Sequence, residues 1–302
     1  MSVRFEARID DDERRRLLYA GDIFVYEPTD ATSRLCSFAR ELVEEAFAPH
    51  DPRLIHEKLS VERCVAILAE LKPRFIHHPH SKELLAEILT DFGCDADETY
   101  FDVPRLRSAM PEDYLTSGIA YAFHPHRDTW YSAPFCQLNW WLPIYELAED
   151  NCMAFHPRYW HQGVKNSSRN YNYARWNEEG RKTAAAQIKS DTREQPHAEE
   201  PVELEPSVRL LCPPGGLILF SGAQMHSTVP NTSGVARYSI DFRTVHKGDA
   251  VARRGAPNVD SACTGTTMMD YIRVRDRAHL PEALITRYEV EGARTSGATT
   301  VA

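Results

Sequence analysis

Residues 215–243 read G-G-L-I-L-F-S-G-A-Q-M-H-S-T-V-P-N-T-S-G-V-A-R-Y-S-I-D-F-R, and their texture decides the fold class. Two apolar and β-branched runs, Leu217–Phe220 and Arg237–Val245, flank a polar stretch carrying Pro230, Asn231 and Gly234. That is the punctuation of short strands separated by turns. The cadence extends upstream, where Tyr100–Val103, Ile119–Phe123, Cys136–Ile144, Cys152–Phe155 and Val208–Cys212 each read as a strand. Before residue 100 the period changes. After the apolar run Asp22–Tyr26, residues Leu35, Phe38, Ala39, Leu42, Val43 and Phe47 recur at helical steps. Val61–Leu71 and Ser81–Phe92 fit two further helices, the last stopped by Gly93. The expected architecture is α+β, with N-terminal helices packed on a β core that closes as a double-sheet jelly roll, a cupin-like double-stranded β-helix.

The chain has 302 residues, enough for one substantial core, and is expected to be a single domain. Residues 1–99 would be helical support, 100–248 the jelly roll, and 249–302 a C-terminal extension. The polar stretch 165–200 interrupts the strand pattern and is expected to form a lid over the site. A formal charge of −9 argues against nucleic acid and anionic membranes as partners. The N-terminus lacks the apolar core of a secretory signal, and no run approaches the length of a membrane span. Seven dispersed cysteines without a C-x-x-C pair read as reduced, buried thiols in a cytoplasmic protein.

The candidate chemistry starts at Ile119–Asp128, I-A-Y-A-F-H-P-H-R-D. Strand alternation puts His126 and Asp128 on one face, within reach of one ion. Two imidazoles and one carboxylate on a single octahedral face leave three positions open, the set used by non-heme iron(II) oxygenases for a 2-oxoacid and dioxygen. His226 is the expected second histidine, at the end of an apolar strand. Arg237 follows eleven residues later, and a hairpin between them would carry its guanidinium to the distal carboxylate of 2-oxoglutarate. Thr228 shares the face of His226 and can add a hydroxyl. A cupin-type reading through His124 and His126 lacks its glutamate, while His156 and His161 fit pocket positions better than ligand positions.

From about Tyr121 to Val245 the chain resembles the phytanoyl-CoA dioxygenase family. The resemblance rests on H-R-D at 126–128, N-W-W-L-P-I at 139–144, N-C-M-A-F-H-P-R-Y-W-H-Q-G from Asn151, and the quoted stretch from Gly215 to Arg237. It implies iron(II) bound by His126, Asp128 and His226, and 2-oxoglutarate bound by Arg237 and Thr228. It also implies Trp141 as an aromatic beside the co-substrate. Strand alternation puts Gln137 and Asn139 on the face of Trp141, Gln137 as a further co-substrate contact and Asn139, with Trp130 and His161, as a candidate substrate contact. His161 is matched with a family histidine, although H-P-R-Y-W-H replaces the usual P-G-[ST]-H. The implied reaction consumes dioxygen and 2-oxoglutarate, releases succinate and carbon dioxide, and hydroxylates a substrate C–H. Asp128 fills the ligand position that related halogenases leave empty, which favours hydroxylation. Desaturation, epoxidation, cyclisation and epimerisation belong to the same chemistry. Trp130, Tyr131, Tyr159 and Trp160 are candidates for the wall of a small-molecule pocket. A non-catalytic β-sandwich that binds metal or ligand is the competing class.

Overall fold

The computed structural model describes residues 1–121, 124–188 and 190–291. Four helices open the chain: α1 (Asp11–Tyr19), α2 (Asp30–Phe47), α3 (Val61–His77) and α4 (Pro79–Asp91). A capping box of Thr29 and Thr32 starts α2, which buries Leu35, Ala39, Leu42, Val43 and Phe47 along one stripe. Helix α1 lies in a stretch whose charge density hid it; two of its three arginines, Arg14 and Arg15, are buried against carboxylates.

Among the described residues, eleven strands form two sheets. The large sheet runs β1 (Val3–Phe5), β2 (Ile23–Tyr26), β8 (Leu217–Ser221), β5 (Leu138–Pro143), β10 (Arg237–His246), β3 (Thr99–Phe101) and β11 (Ile272–Arg273). Strand β4 (Arg105–Ala109) shares the free edge of β10 with β3, because β10 is long enough to pair with both in tandem. All pairings are antiparallel except β1 with β2. The small sheet is β7 (Val208–Leu210), β6 (Met153–Phe155) and β9 (His226–Thr228). β11 comes from the expected C-terminal extension and completes an edge of the main sheet.

The pleat of the large sheet sorts its residues. Phe24, Tyr26, Leu138, Trp140, Leu142, Leu217, Leu219, Tyr238, Ile240 and Phe242 face the helices and share one apolar core with them. The other face meets the small sheet. There Ile23, Val25, Trp141, Ile218 and Phe220 pack with Met153, Phe155 and Leu210, whereas the β10–β4 end carries Arg237, Asp241, Arg243, Arg105 and Arg107. The inter-sheet space is therefore apolar at one end and charged at the other.

Three expectations need correction. Ile119–Tyr121 is not strand: Gly118–Ala120 is a 3-10 turn and Tyr121 is irregular, while Ala122 and Phe123 of the expected strand fall outside the described residues. His226 does not end the Leu217–Phe220 strand; β8 stops at Ser221, and His226 begins β9 in the other sheet. Nor do β9 and β10 form a hairpin, since β9 pairs with β6 and the connection crosses between sheets. Asn231 stabilises that crossing by donating to Ala109 and Val235 carbonyls. Among the described residues no helix is long and apolar enough to cross a membrane. All seven cysteines are free thiols, and only Cys263 is not fully buried.

Trp140 is the pivot of the helix-facing core. It is 1% exposed, stacks on Phe242 at 5.5 Å, meets Phe92 edge-on at 5.6 Å, and donates from Nε1 to Thr244 Oγ1 at 2.9 Å. Trp140→Ala is expected to cost about 3–5 kcal/mol of unfolding free energy, read as a lower urea midpoint. A midpoint within about 1 kcal/mol of wild type would show that the helices and sheet do not share this core.

Candidate metal centre

His126 and His226 are locked side by side by the backbone. Each donates its N–H to the other's carbonyl at 3.0 Å, a one-residue antiparallel bridge that brings the imidazole centroids to 4.3 Å. Both rings are then oriented by the chain preceding them. His126 Nδ1 lies 2.7 Å from the His124 carbonyl, and His226 Nδ1 lies 3.0 Å from the Gln224 carbonyl. A carbonyl only accepts, so Nδ1 carries the proton in each ring and Nε2 presents its lone pair. Both Nε2 atoms face Asp128 Oδ1, at 3.6 and 4.0 Å.

Asp128 opens a 3-10 turn, Asp128–Tyr131, just past the bridge, so the expected two-residue spacing holds although the strand does not. Its two oxygens have different work. Oδ2 accepts from Gln137 Nε2 at 2.9 Å and Asn139 Nδ2 at 2.8 Å, and lies 3.5 Å from Arg243 Nε. Gln137 is itself fixed by the Tyr271 hydroxyl at 2.8 Å. Oδ1 is left for the histidine side. Burial alone would raise the Asp128 carboxyl, but His126, Arg243 and His226 hold it well below the usual carboxylate range. Burial, then the charge of His126, lowers His226 to about 4, so its imidazole is neutral and ready to ligate near pH 7.

The three residues are buried, and one donor atom from each lies within 4.8 Å of the others. Bonds of about 2.1 Å at right angles place neighbouring donors about 3 Å apart, so a divalent ion needs only a small contraction of this set. Two nitrogens and one oxygen on one face suit iron(II) with three positions left open.

Arg127, between the ligands, points the other way and anchors the loop. It is 1% exposed, donates to the Ala223, Tyr159 and Gln162 carbonyls, and meets Asp260 at 3.1 Å. Asp260 also takes the Trp130 indole N–H at 2.6 Å, which places Trp130 in a packed cluster with Tyr159, Val164 and Met225. Tyr131 meets His126 edge-on at 5.4 Å, and Phe220 meets His226 edge-on at 5.1 Å. The Tyr131 hydroxyl donates to Pro196 and its ring meets Tyr171 at 5.4 Å, both in segment 165–200. That segment also docks at Ser117 and Gly118, through the Ser117 hydroxyl to Gln187 and Ile188 carbonyls and the Gly118 N–H to Asp191. His161 is exposed, and His156 is buried against Ser227 and the Leu204 carbonyl.

On β10, Arg237 is 7% exposed and lies 5.5 Å from the Trp141 ring centre. One terminal nitrogen donates to the Asn151 carbonyl, and among the described residues no carboxylate lies within salt-bridge distance of it. Its Nε is buried without a partner, as is the Ser239 hydroxyl two residues on along the same strand face. Burying unsatisfied donors is costly unless a ligand completes them, and a carboxylate would do so for both. Thr228, half-buried, closes β9 opposite Met153. Arg243, Arg127, Asp260, Tyr271 and Ser239 escaped the sequence reading. For Arg243 and Ser239 the signal was present: R-Y-S-I-D-F-R alternates polar and apolar through 243.

No protein-family model matches the sequence, and no curated protein matches it. Solved structures with a similar chain trace include EvdO2 from Micromonospora carbonacea var. aurantiaca complexed with 2-oxoglutarate, at TM-score 0.45 and 14% identity over 80% of this chain and 92% of that one. The epimerase SnoN in complex with Fe3+, alpha ketoglutarate and nogalamycin RO gives TM-score 0.39 and 17% identity over 78% of this chain and 85% of its own. AviO1 from Streptomyces viridochromogenes Tue57 gives TM-score 0.39 and 14% identity over 84% and 99%.

Asn139→Leu removes one of the donors that hold Asp128 Oδ2. Metal affinity, titrated with Co(II) by absorbance, is expected to fall about 10- to 100-fold. Unchanged affinity would show that the carboxylate is held without this amide.

Proposed function

We propose that the chain is an iron(II)- and 2-oxoglutarate-dependent oxygenase that hydroxylates an unactivated C–H of a small molecule. The observation that carries this reading is the pairing of a buried His126–Asp128–His226 set with a buried arginine whose Nε has no partner. In the same reading the two facing sheets are halves of a double-stranded β-helix. Bound iron and 2-oxoglutarate would supply oxidising power from dioxygen, with release of succinate and carbon dioxide.

The chain's own residues supply geometry and seclusion. His126 and His226 offer neutral Nε2 donors, and Asp128 offers Oδ1 while Gln137, Asn139 and Arg243 retain Oδ2. Arg237, with Ser239 on the same face of β10, would anchor the distal carboxylate, Thr228 of β9 would add a hydroxyl, and Trp141 would flank it. Tyr131 and segment 165–200 would cover the open side, which limits water at the reacting centre. Asp128 occupies the third ligand position, which favours oxygen transfer over halogenation. Gain of one oxygen atom in the product, measured by mass, separates hydroxylation from desaturation or epimerisation.

The test begins anaerobically. Fresh protein should bind Fe(II) and 2-oxoglutarate, and under air with ascorbate it should form succinate. A protein that binds neither overturns the reading in favour of a non-catalytic sandwich. Arg237→Ala should weaken 2-oxoglutarate binding by about thirtyfold or more with little change in metal affinity. Equal loss of both would make Arg237 a structural residue. Asp128→Ala should abolish product formation; full activity would place the carboxylate ligand elsewhere.

A further inference from the structure

Residues 256–271 wrap the loop that carries two of the candidate metal ligands. Asp260 meets Arg127 at 3.1 Å and takes the Trp130 indole N–H at 2.6 Å. The Ser132 hydroxyl donates to the Thr264 carbonyl at 2.7 Å, and the Thr267 N–H donates back to the Ser132 carbonyl at 3.1 Å. The stretch ends at Tyr271, whose neighbour Ile272 pairs with Phe101 as β11 joins β3.

Tyr271 is fully buried, and its hydroxyl donates to Gln137 Oε1 at 2.8 Å. From there the hydrogen bonds run in one direction. Gln137 Nε2 donates to Asp128 Oδ2 and to Asn139 Oδ1, each at 2.9 Å. Asn139 Nδ2 then donates to Asp128 Oδ2 at 2.8 Å. Both amides are buried.

A carboxamide is nearly symmetric in shape, so its partners decide which end carries the donors. Reversed, Gln137 would set its carbonyl oxygen against the Asp128 carboxylate and the Asn139 oxygen. Three acceptors would then meet where a low dielectric strengthens their repulsion. In the observed orientation Oε1 needs a donor, and among the described residues the Tyr271 hydroxyl supplies it. Burial, then the charge of Asp102, raises that hydroxyl well above the ordinary tyrosine range, so it keeps its proton to donate. Without it, either orientation leaves one end of a buried amide unpaired, and the grip on Asp128 Oδ2 loosens.

We propose that Tyr271 is a positioning residue of the metal centre. Its hydroxyl fixes the polarity of the Gln137–Asn139 pair and thereby keeps Asp128 Oδ1 turned toward the histidines. The C-terminal stretch thus belongs to the metal centre although it contributes no ligand. The proposal rests on the oxygenase reading only in taking Asp128 as a metal ligand.

Titration of the full chain with Co(II) without air, followed by visible absorbance, tests it. Tyr271→Phe should weaken Co(II) binding about tenfold or more and shift the Co(II) bands, because the carboxylate is no longer held in one orientation. Gln137→Met should do the same. The double variant should bind no more weakly than Gln137→Met alone, since the hydroxyl acts through the amide. Tyr238→Phe is the control: it removes another fully buried hydroxyl, which donates to the Pro52 carbonyl on the helix-facing side, and should leave affinity and bands unchanged. Unchanged affinity in Tyr271→Phe, an equal loss in Tyr238→Phe, or losses that multiply in the double variant would each overturn the proposal alone. Should Tyr271→Phe not fold, Gln137→Met decides: wild-type affinity overturns the proposal, and a tenfold loss with shifted bands supports it. A wild-type chain that takes up no Co(II) would overturn the oxygenase reading, and this proposal with it.

Discussion

The structure depends on how one buried carboxylate is held. Taking a charge out of water costs several kcal/mol unless partners compensate it. Asp128 meets that cost by dividing its oxygens. Gln137, Asn139 and Arg243 occupy Oδ2, and Oδ1 remains for the histidines. Arg243 must then be compensated too, which brings Asp102 and Asp241 into the wall, and these in turn bring Arg105 and Arg107. A single ligand thus explains why one end of the inter-sheet space is charged.

The pleat makes this possible without damaging the core. On β10, Tyr238, Ile240 and Phe242 go to the helices, while Arg237, Ser239, Asp241 and Arg243 go inward. The same division on β5 sends Trp140 to the helices and Trp141 to the site. Helices α1 to α4 therefore support the candidate site indirectly: they bury the reverse side of the strands that carry its side chains. Arg127 does a comparable job at the loop, where its fully buried guanidinium fixes the turn between the two ligands that flank it.

Segment 165–200 joins this frame at two places, Tyr131 beside His126 and Ser117–Gly118 ahead of the ligand loop. Gly118 has a φ of +58°, and a Cβ there would lie 2.3 Å from the Gln187 carbonyl oxygen, so the docking requires glycine. Segment 165–200 is thereby tied to the stretch that leads into His126 and Asp128.

The sequence by itself determined the kinds of element and the local spacing of donors. Helical period before residue 100 and strand cadence after it are properties of neighbouring residues, as is the two-residue step from His126 to Asp128. The alternation R-Y-S-I-D-F-R is also local. Only the tertiary structure decided which side of that alternation faced the interior, because that depends on where the helices pack. It alone showed that His226 belongs to a different sheet from the strand before it, and that His126 meets it through a one-residue bridge. It alone brought Gln137, Asn139 and Arg243 to one oxygen of Asp128, since hydrogen-bond partners distant in sequence leave no periodic trace. Charge compensation is a property of space, and chain order carries no record of it.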